Sequence, residues 1–368
     1  MKKTLFRWHS YIGLISLLPL ILISVTGSLL VFKYEIDTLL RGEMVNASVT
    51  STRLPMDELI TSVNQAHDPF EIVGWVLFQE KEKSDVVYLI PRGTEDWYHI
   101  YVDPYSGEFL SEPAQATDYL TDWLVEFHAS FLLSEGGVAI VFVYSLLLIF
   151  LGISGLILHR KFWRNLFKLR TQARRVLYYS DLHKLVGAWG SPVLLVLGIT
   201  GGYWNIAHLL HEYEHYVEDD HYVMEYRHYN ESLSFDELIA DTENHLEGFV
   251  ATYIRFPHEE DDHIKFYGEV PDTLFVTSQY SSTVEYHRET GAFLGTYDIR
   301  QAPALHVVID SFRKLHFGTF GGVTSRVIWL IVGLIPVILA ASGLYLWLKR
   351  RKARAAKRNK AKRKQATV

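Results

Sequence analysis

The chain has 368 residues, with 36 Lys+Arg against 42 Asp+Glu, 17 His and no Cys. The missing cysteine excludes disulfides, iron–sulfur clusters, thiolate zinc sites and covalent c-type haem attachment. Redox or metal chemistry must therefore rest on His, carboxylates or a cofactor held without a covalent bond. G-x-G-x-x-G and Walker A patterns are also missing, which excludes a dinucleotide or P-loop domain; no nucleic-acid partner is expected.

The first element is an apolar window at 12–32 that follows Lys2, Lys3 and Arg7 and holds no charged residue. Uncharged windows recur at 136–158, 185–207 and 327–348, each 21 to 23 residues long. That is about the length a helix needs to cross a hydrocarbon core of ~30 Å, so four transmembrane helices are expected. The first exceeds a signal-peptide core of ~7–15 residues and no A-x-A site follows, so it reads as an uncleaved anchor. Charge then orients the windows. Residues 1–11, 159–180 and 349–368 contain no acid and hold 21 of the 36 Lys and Arg. Positive-inside logic puts these segments in the cytoplasm and the acidic segments 33–135 and 208–326 on the other side. Trp8, Tyr34, Trp163, Tyr203, Trp204 and Trp347 stand at window edges, as interfacial anchors do. The tail KRRKARAAKRNKAKRK is expected to be disordered and to lie on anionic lipid.

The chain repeats itself. His9 is followed at +4 by Gly13 and at +17/+18 by Thr26-Gly27; His183 is followed in the same register by Gly187 and Thr200-Gly201. His128 precedes Ser154-Gly155 by 26 residues, as His316 precedes Ser342-Gly343. Between the windows, Asp57-Glu58-Leu59-Ile60 recurs as Asp236-Glu237-Leu238-Ile239, and VDPYSGEFL aligns with YHRETGAFL. Each half thus reads as helix, outer α+β module, helix, giving parallel repeats about an axis along the membrane normal. The first module is expected to hold a helix at 56–67 and strands at 71–78, 86–90 and 98–102. The second is expected to hold a helix at 235–246 and strands at 250–256, 263–267 and 273–278. Ser106-Gly107 and Thr290-Gly291 read as hairpin turns. The expected organisation is 1–35 (N-terminus and first span), 36–127 (first module), 128–160 (second span), 161–182 (basic linker), 183–208 (third span), 209–315 (second module), 316–348 (fourth span) and 349–368 (basic tail).

Four histidines occupy repeat-equivalent places at helix ends: His9 and His183 on the cytoplasmic side, His128 and His316 on the outer side. A two-fold axis along the normal brings the members of each pair together, and two facing imidazoles can ligate a haem iron from both sides without any Cys. Gly13 and Gly187, one turn on, would leave room for a porphyrin plane. Two b-type haems and an electron relay across the bilayer are the reading. Interfacial histidines can also sit among headgroups without a ligand, and Thr-Gly and Ser-Gly are ordinary helix-packing devices. His159, His208 and His211 break the symmetry and are alternative ligands. His211-Glu212-x-x-His215 matches the H-E-x-x-H zinc pattern of metalloproteases, but the surrounding HEYEHYVEDDHYVMEYRHY makes a chance match easy. The electron donor would be a separate acidic cytoplasmic protein or a quinol in the lipid bilayer.

At these residues the chain resembles the PepSY-associated transmembrane family, which includes iron-regulated inner-membrane proteins and ferric-siderophore reductases of bacteria. The resemblance rests on RWHSYIGL and TGSLL, DLHKLVGAW and GITGG, FHASFLL, LHFGTFGG, the two SGL segments and the VDPYSGEFL-type turns. It implies an α-helical membrane protein of four spans with two periplasmic PepSY-like modules in the bacterial inner membrane. It also implies b-type haems on membrane histidines and reduction of periplasmic ferric siderophores. Ala129 stands where the family often has a basic residue after the histidine, and Phe317 follows His316. Two other functions stay open: a haem-free membrane-anchored binding or regulatory protein, and the metalloprotease.

Overall fold

A computed structural model describes residues 2–49, 52–159, 166–218, 223–259 and 261–365, without the side chains of 215–218 and 364. The anchor expected at Trp163 lies outside the described residues, as does the side chain of His215. In chain order the helices are α1 (Lys2–Ile15), α2 (Leu17–Leu30), α3 (Lys33–Val45), α4 (Met56–Ala66), α5 (Leu120–Ser130) and α6 (Ser134–Leu158). They continue with α7 (Arg175–Glu218), α8 (Phe235–His245), α9 (Ala304–Phe317), α10 (Gly322–Gly333) and α11 (Ile335–Gln365). The strands are β1 (Phe70–Val76), β2 (Asp85–Pro91), β3 (Tyr98–Val102), β4 (Ala114–Gln115), β5 (Val250–Arg255), β6 (Ile264–Glu269), β7 (Ser282–Tyr286) and β8 (Phe293–Tyr297). The chain forms two compact units: Met1–Val31, Leu124–His211 and Leu315–Val368 in one, Phe32–Trp123 and Glu212–Lys314 in the other.

The first unit is helical. Three of its helical stretches are long and apolar enough to cross a membrane, and α1 with α2 makes a fourth if that bent pair is one span. Large apolar side chains such as Ile15, Leu18, Ile153 and Ile331 face outward on these helices, as surfaces in contact with lipid do. The first window is not the continuous helix expected. It breaks at Ser16 and bends by 62°, close to Pro19, which has no N–H to give the carbonyl of Ile15 four residues back. Gly198 and Gly202, four residues apart on α7, face α6: a Cβ on Gly198 would lie 3.0 Å from Ile149, and one on Gly202 2.7 Å from Ser145 Oγ. Small residues at this spacing let two helix backbones approach where no hydrophobic force separates helix from lipid. His128 and His316 ride on α5 and α9, short helices broken from α6 and α10, rather than on the apolar helices themselves. The tail also departs from expectation: α11 runs on as helix to Gln365. Its Ala, Lys, Arg and Gln are all good helix formers, and the apolar stretch before them supplies the nucleus.

The second unit is one eight-stranded antiparallel sheet, ordered β4-β3-β2-β1-β5-β6-β7-β8. The two expected modules share it, because β1 pairs with β5 through Gly74–Arg255, Trp75–Ile254 and Val76–Tyr253. Only glycine fits at 74, where a Cβ would run into the Tyr253 ring. Trp75, Ile254, Phe256, Phe266 and Ile100 fill the core with Leu59 and Val63 of α4 and Phe235 of α8. Trp75 Nε1 donates to the buried Asp85 carboxylate (2.7 Å), which also pairs with Arg53. The repeated DELI motif has a reciprocal use. Asp236 accepts from the backbone N–H of Met56 (2.8 Å) and Asp57 (3.0 Å), and Asp57 accepts from Phe235 N–H (2.6 Å) and Ser234 Oγ (2.5 Å). Each acid thus caps the other repeat's helix, supplying acceptors for donors that a helix start leaves unmet. The hairpin glycines Gly107 and Gly291 sit at φ 73° and 67° as expected. The strand expected at 273–278 is a loop instead. Ser278 gives its backbone N–H and hydroxyl to Asp310 (2.8 and 2.5 Å), and such local bonds compete with a sheet ladder. The ladder is taken up by β7 and β8.

Candidate functional site

The helical unit brings the four repeat-equivalent histidines together in two pairs. The ring centroids of His9 and His183 lie 6.4 Å apart, and those of His128 and His316 6.3 Å apart. Each ring is held at Nδ1 by a buried hydroxyl from another helix. His9 Nδ1 lies 2.7 Å from Ser154 Oγ of α6, and His183 Nδ1 lies 2.9 Å from Ser342 Oγ of α11. His128 Nδ1 lies 3.1 Å from Thr26 Oγ1 of α2, and His316 Nδ1 lies 2.8 Å from Thr200 Oγ1 of α7. No hydrogen bond reaches Nε2 of any of the four among the described residues.

The glycine beside each hydroxyl makes the seat. A Cβ on Gly27 would stand 2.7 Å from His128 Cε1, and one on Gly201 3.2 Å from His316 Cε1. At the other pair, a Cβ on Gly155 would lie 3.5 Å from His9 Cε1 and one on Gly343 3.4 Å from His183 Cε1. The Thr-Gly and Ser-Gly motifs, open to reading as packing devices, therefore serve the histidines, and they do so crosswise. Thr26-Gly27 of α2 and Thr200-Gly201 of α7 hold His128 and His316, and the Ser-Gly pairs of α6 and α11 hold His9 and His183. Gly13 and Gly187 leave more space: a Cβ would meet Leu151 at 3.7 Å and Leu339 at 3.6 Å, ordinary contacts.

The chain matches the PepSY-associated TM region over residues 6–350, nearly its whole length. It belongs to that family. A 255-residue stretch is 28% identical to an uncharacterized protein of Pseudomonas aeruginosa, covering 62% of this chain and 64% of that relative.

In this PepSY-associated membrane protein the donor set of the two pairs fits a b-type haem. Two metal–imidazole bonds of about 2 Å plus the ring radii require centroids about 6 Å apart, as both pairs have. A ligating imidazole also keeps its second nitrogen hydrogen-bonded to an outer partner, which each hydroxyl provides. The remaining candidates stand apart from the pairs. His159 caps the end of α6. His208 Nε2 lies 3.0 Å from a Glu135 carboxylate oxygen, both residues being exposed. His211 and Glu212 are exposed residues of α7. The four supporting hydroxyls join the candidate site through their contacts with the histidines, which the sequence does not show. Their signal was present in the repeated spacings, which show that residues recur without showing what they touch.

The sheet unit offers two further polar features. A cavity of about 590 Å³ is lined by Asn64, Asp68, Arg92, Arg227, Tyr229 and Glu231 among others. At its edge the buried Glu71 takes both guanidinium groups, Arg92 Nε at 2.7 Å and Arg227 Nε at 2.8 Å. Burial pushes the Tyr229 phenol up to about 12, so it stays a neutral hydrogen-bonding group there. His258, Glu259 and Asp262 form a small cluster in which Arg255 already occupies Asp262 (2.9 Å).

Proposed function

We propose that this chain is a transmembrane electron carrier that binds two b-type haems and reduces an acceptor outside the cytoplasmic membrane, a ferric siderophore being the acceptor class. The observation that carries the reading is a pair of imidazoles with centroids 6.3 to 6.4 Å apart, present twice, each ring with Nδ1 engaged and Nε2 without a hydrogen-bond partner among the described residues. His9 with His183 and His128 with His316 would hold the two groups. Haem b bound between such imidazoles supplies a one-electron carrier at potentials set by its ligands and surroundings. The protein's own work is to keep the rings apart at ligating distance, to hold their orientation through the hydroxyls and to surround them with apolar helices.

On this reading the helical unit has four spans in two parallel repeats. His183 and Thr200 are 17 residues apart on the single helix α7, or roughly 26 Å at 1.5 Å per residue. That span approaches the hydrocarbon thickness, so the two pairs serve the two faces of the bilayer. The basic segments face the cytoplasm and suit an acidic electron-donor protein, a quinol being the other source; the sheet unit is periplasmic. Each ferric ion takes one electron to become ferrous, and the donor loses one for each.

The test is spectroscopic. Protein purified in detergent after expression with ample haem is expected to show reduced b-type bands and two haems per chain. His183→Ala and His316→Ala should each remove one, and the double variant both. Protein without haem under those conditions overturns the proposal. Proteoliposomes separate the acceptor class: ferric hydroxamate outside, a reductant inside and a ferrous trap outside should report iron reduction only with the intact pairs. Because the chain has no Cys, single cysteines placed at 3 and 360 can be labelled to read the orientation, with protection from outside reagent expected at both.

A further inference from the structure

We infer that Thr26, Ser154, Thr200 and Ser342 are positioning residues that fix all four histidines as the Nδ1–H tautomer, leaving the Nε2 lone pair of each ring for a ligand. The role in haem binding rests on the reading above; the tautomer itself does not.

The argument is a proton count. A serine or threonine hydroxyl has one hydrogen and two lone pairs. Each of these four lies on a helix within reach of a carbonyl three or four residues back. Thr26 Oγ1 is 2.8 Å from Leu22 O, Thr200 Oγ1 2.8 Å from Val196 O, and Ser342 Oγ 2.7 Å from Ile338 O. Ser154 Oγ is 3.3 Å from Leu151 O. A carbonyl can only accept, so the hydroxyl hydrogen points along the helix and an oxygen lone pair faces the imidazole. Nδ1 must then donate. His128 makes the same case without a hydroxyl, because its Nδ1 also lies 3.0 Å from Ile23 O, which has no hydrogen to give. All four hydroxyls are buried, with exposures of 1 to 7%, so water does not compete for the contact. The histidine tautomer is set by the bond its other nitrogen makes, and here every such bond points to the same answer.

The hydroxyls are also placed so that the two pairs depend on one another. Helix α7 carries His183 of one pair and the Thr200 that supports the other, and α11 supplies Ser342 back to His183. A rotation of α7 about its axis would withdraw a ligand from one site and a support from the other.

The test uses full-length protein in detergent. Haem-depleted protein labelled with ¹⁵N-histidine should show the Nδ1–H tautomer at His9, His128, His183 and His316. In Thr200→Val the His316 signal should move toward the other tautomer, and Ser342→Ala should do the same to His183. In haem-loaded protein these changes should weaken haem retention at the affected site by about 10- to 100-fold and shift the midpoint potential of what remains. Thr200→Ser, which keeps the hydroxyl, should restore both. Should Thr200→Val fail to fold, Ser154→Ala reads the same effect on His9. Unchanged tautomers, retention and potential in these variants would overturn the assignment. Wild-type protein that binds no haem yet shows the tautomer shifts would uphold the hydroxyl assignment and sink the haem reading, so the two failures are distinct.

Discussion

The two halves of the helical unit reach the same turn by different means. Six residues after His128, and again six after His316, the chain enters the next helix, at Ser134 and at Gly322. The first half does so through Phe131, Leu132 and Ser134, at φ 52°, 61° and 48°; the second uses Gly318 and Gly322, at 69° and 60°. A Cβ makes this left-handed region cost about 1–2 kcal/mol per residue. Strained backbone of that kind persists where its surroundings over-determine it. What the halves share is thus the path that brings a histidine under a Thr-Gly pair, and glycine is only one way to obtain it. The seat differs in the same sense, tighter over His128 (2.7 Å) than over His316 (3.2 Å).

The largest expected effect tests that difference in the seat. Gly27→Ala forces the His128 ring aside and, on the two-haem proposal, is expected to cost one of the two. Gly201→Ala asks for a few tenths of an ångström and should weaken the corresponding site without emptying it. Gly13→Ala, with no neighbour nearer than 3.7 Å, is the control and should keep both. A haemochrome titration of each variant checks the order, and a greater loss in Gly201→Ala would break the comparison. Next is the turn. Leu132→Gly removes a left-handed Cβ and should raise stability by about 0.5–1 kcal/mol, after allowing for the freer unfolded chain. Gly322 (φ 60°, ψ −144°) lies near the region open essentially to glycine, so Gly322→Ala should cost about 1–3 kcal/mol. Thermal melts in detergent measure both.

A smaller effect concerns the sheet unit, where the halves cap each other. Asp57→Ala and Asp236→Ala should each cost about 1 kcal/mol. Asp236→Ala should cost more, because it strands two backbone N–H groups, whereas Asp57→Ala strands one and a hydroxyl that can rotate. The double variant should cost less than the sum, since each acid sits on the helix the other caps. Hydrogen exchange at Met56, Asp57 and Phe235 reads the two caps separately.

Much of this was legible in the sequence, and the limits are physical. Composition and charge marked the apolar helices, and period-two alternation found five of the eight strands to within a few residues, namely β1, β2, β3, β5 and β6, while it put a sixth at 273–278 in place of β7. The equal spacings around His9, His183, His128 and His316 marked the histidines that the helical unit brings together in pairs. Spacing cannot say which copy of a motif touches which histidine, because that depends on how helices distant in sequence pack. The crosswise use of Thr26, Ser154, Thr200 and Ser342 was therefore hidden. The bend at Ser16 was foreshadowed by Pro19, yet Pro192 sits inside the uninterrupted α7. A proline in an apolar helix marks a place where a break can occur, and tertiary packing decides whether it does. The tail reads as disordered on charge alone, yet its Ala, Lys and Arg content favours helix once a helix leads into it.

The smallest effect asks whether the halves of the sheet respond alike to acid. His99 of β3 is 8% exposed and packs edge-on against Tyr101 and Tyr119. Burial pulls its pKa below the ordinary 6.5; Arg41 and Lys33 pull the same way, and Asp122 and Asp118 oppose them. His67, at the end of α4, is lowered by burial too, against an opposing pull from Glu112. Both belong to the first repeat. The position matching His99 in β7 is Thr283, which cannot titrate. For a histidine lowered by folding, the folded state stays neutral while the unfolded chain takes up a proton below about 6.5. Stability is then whole above that pH and is lost as pH falls toward the depressed folded value. Asp122, Asp241 and Asp298, held below 3.8, titrate lower still and do not enter this window. Between pH 7 and pH 5, exchange protection should therefore fall in β2 and β3 before it falls in β6 and β7. His99→Thr, which borrows the residue of the other repeat, should flatten that slope, and an unchanged slope would mean that burial at His99 does not govern it.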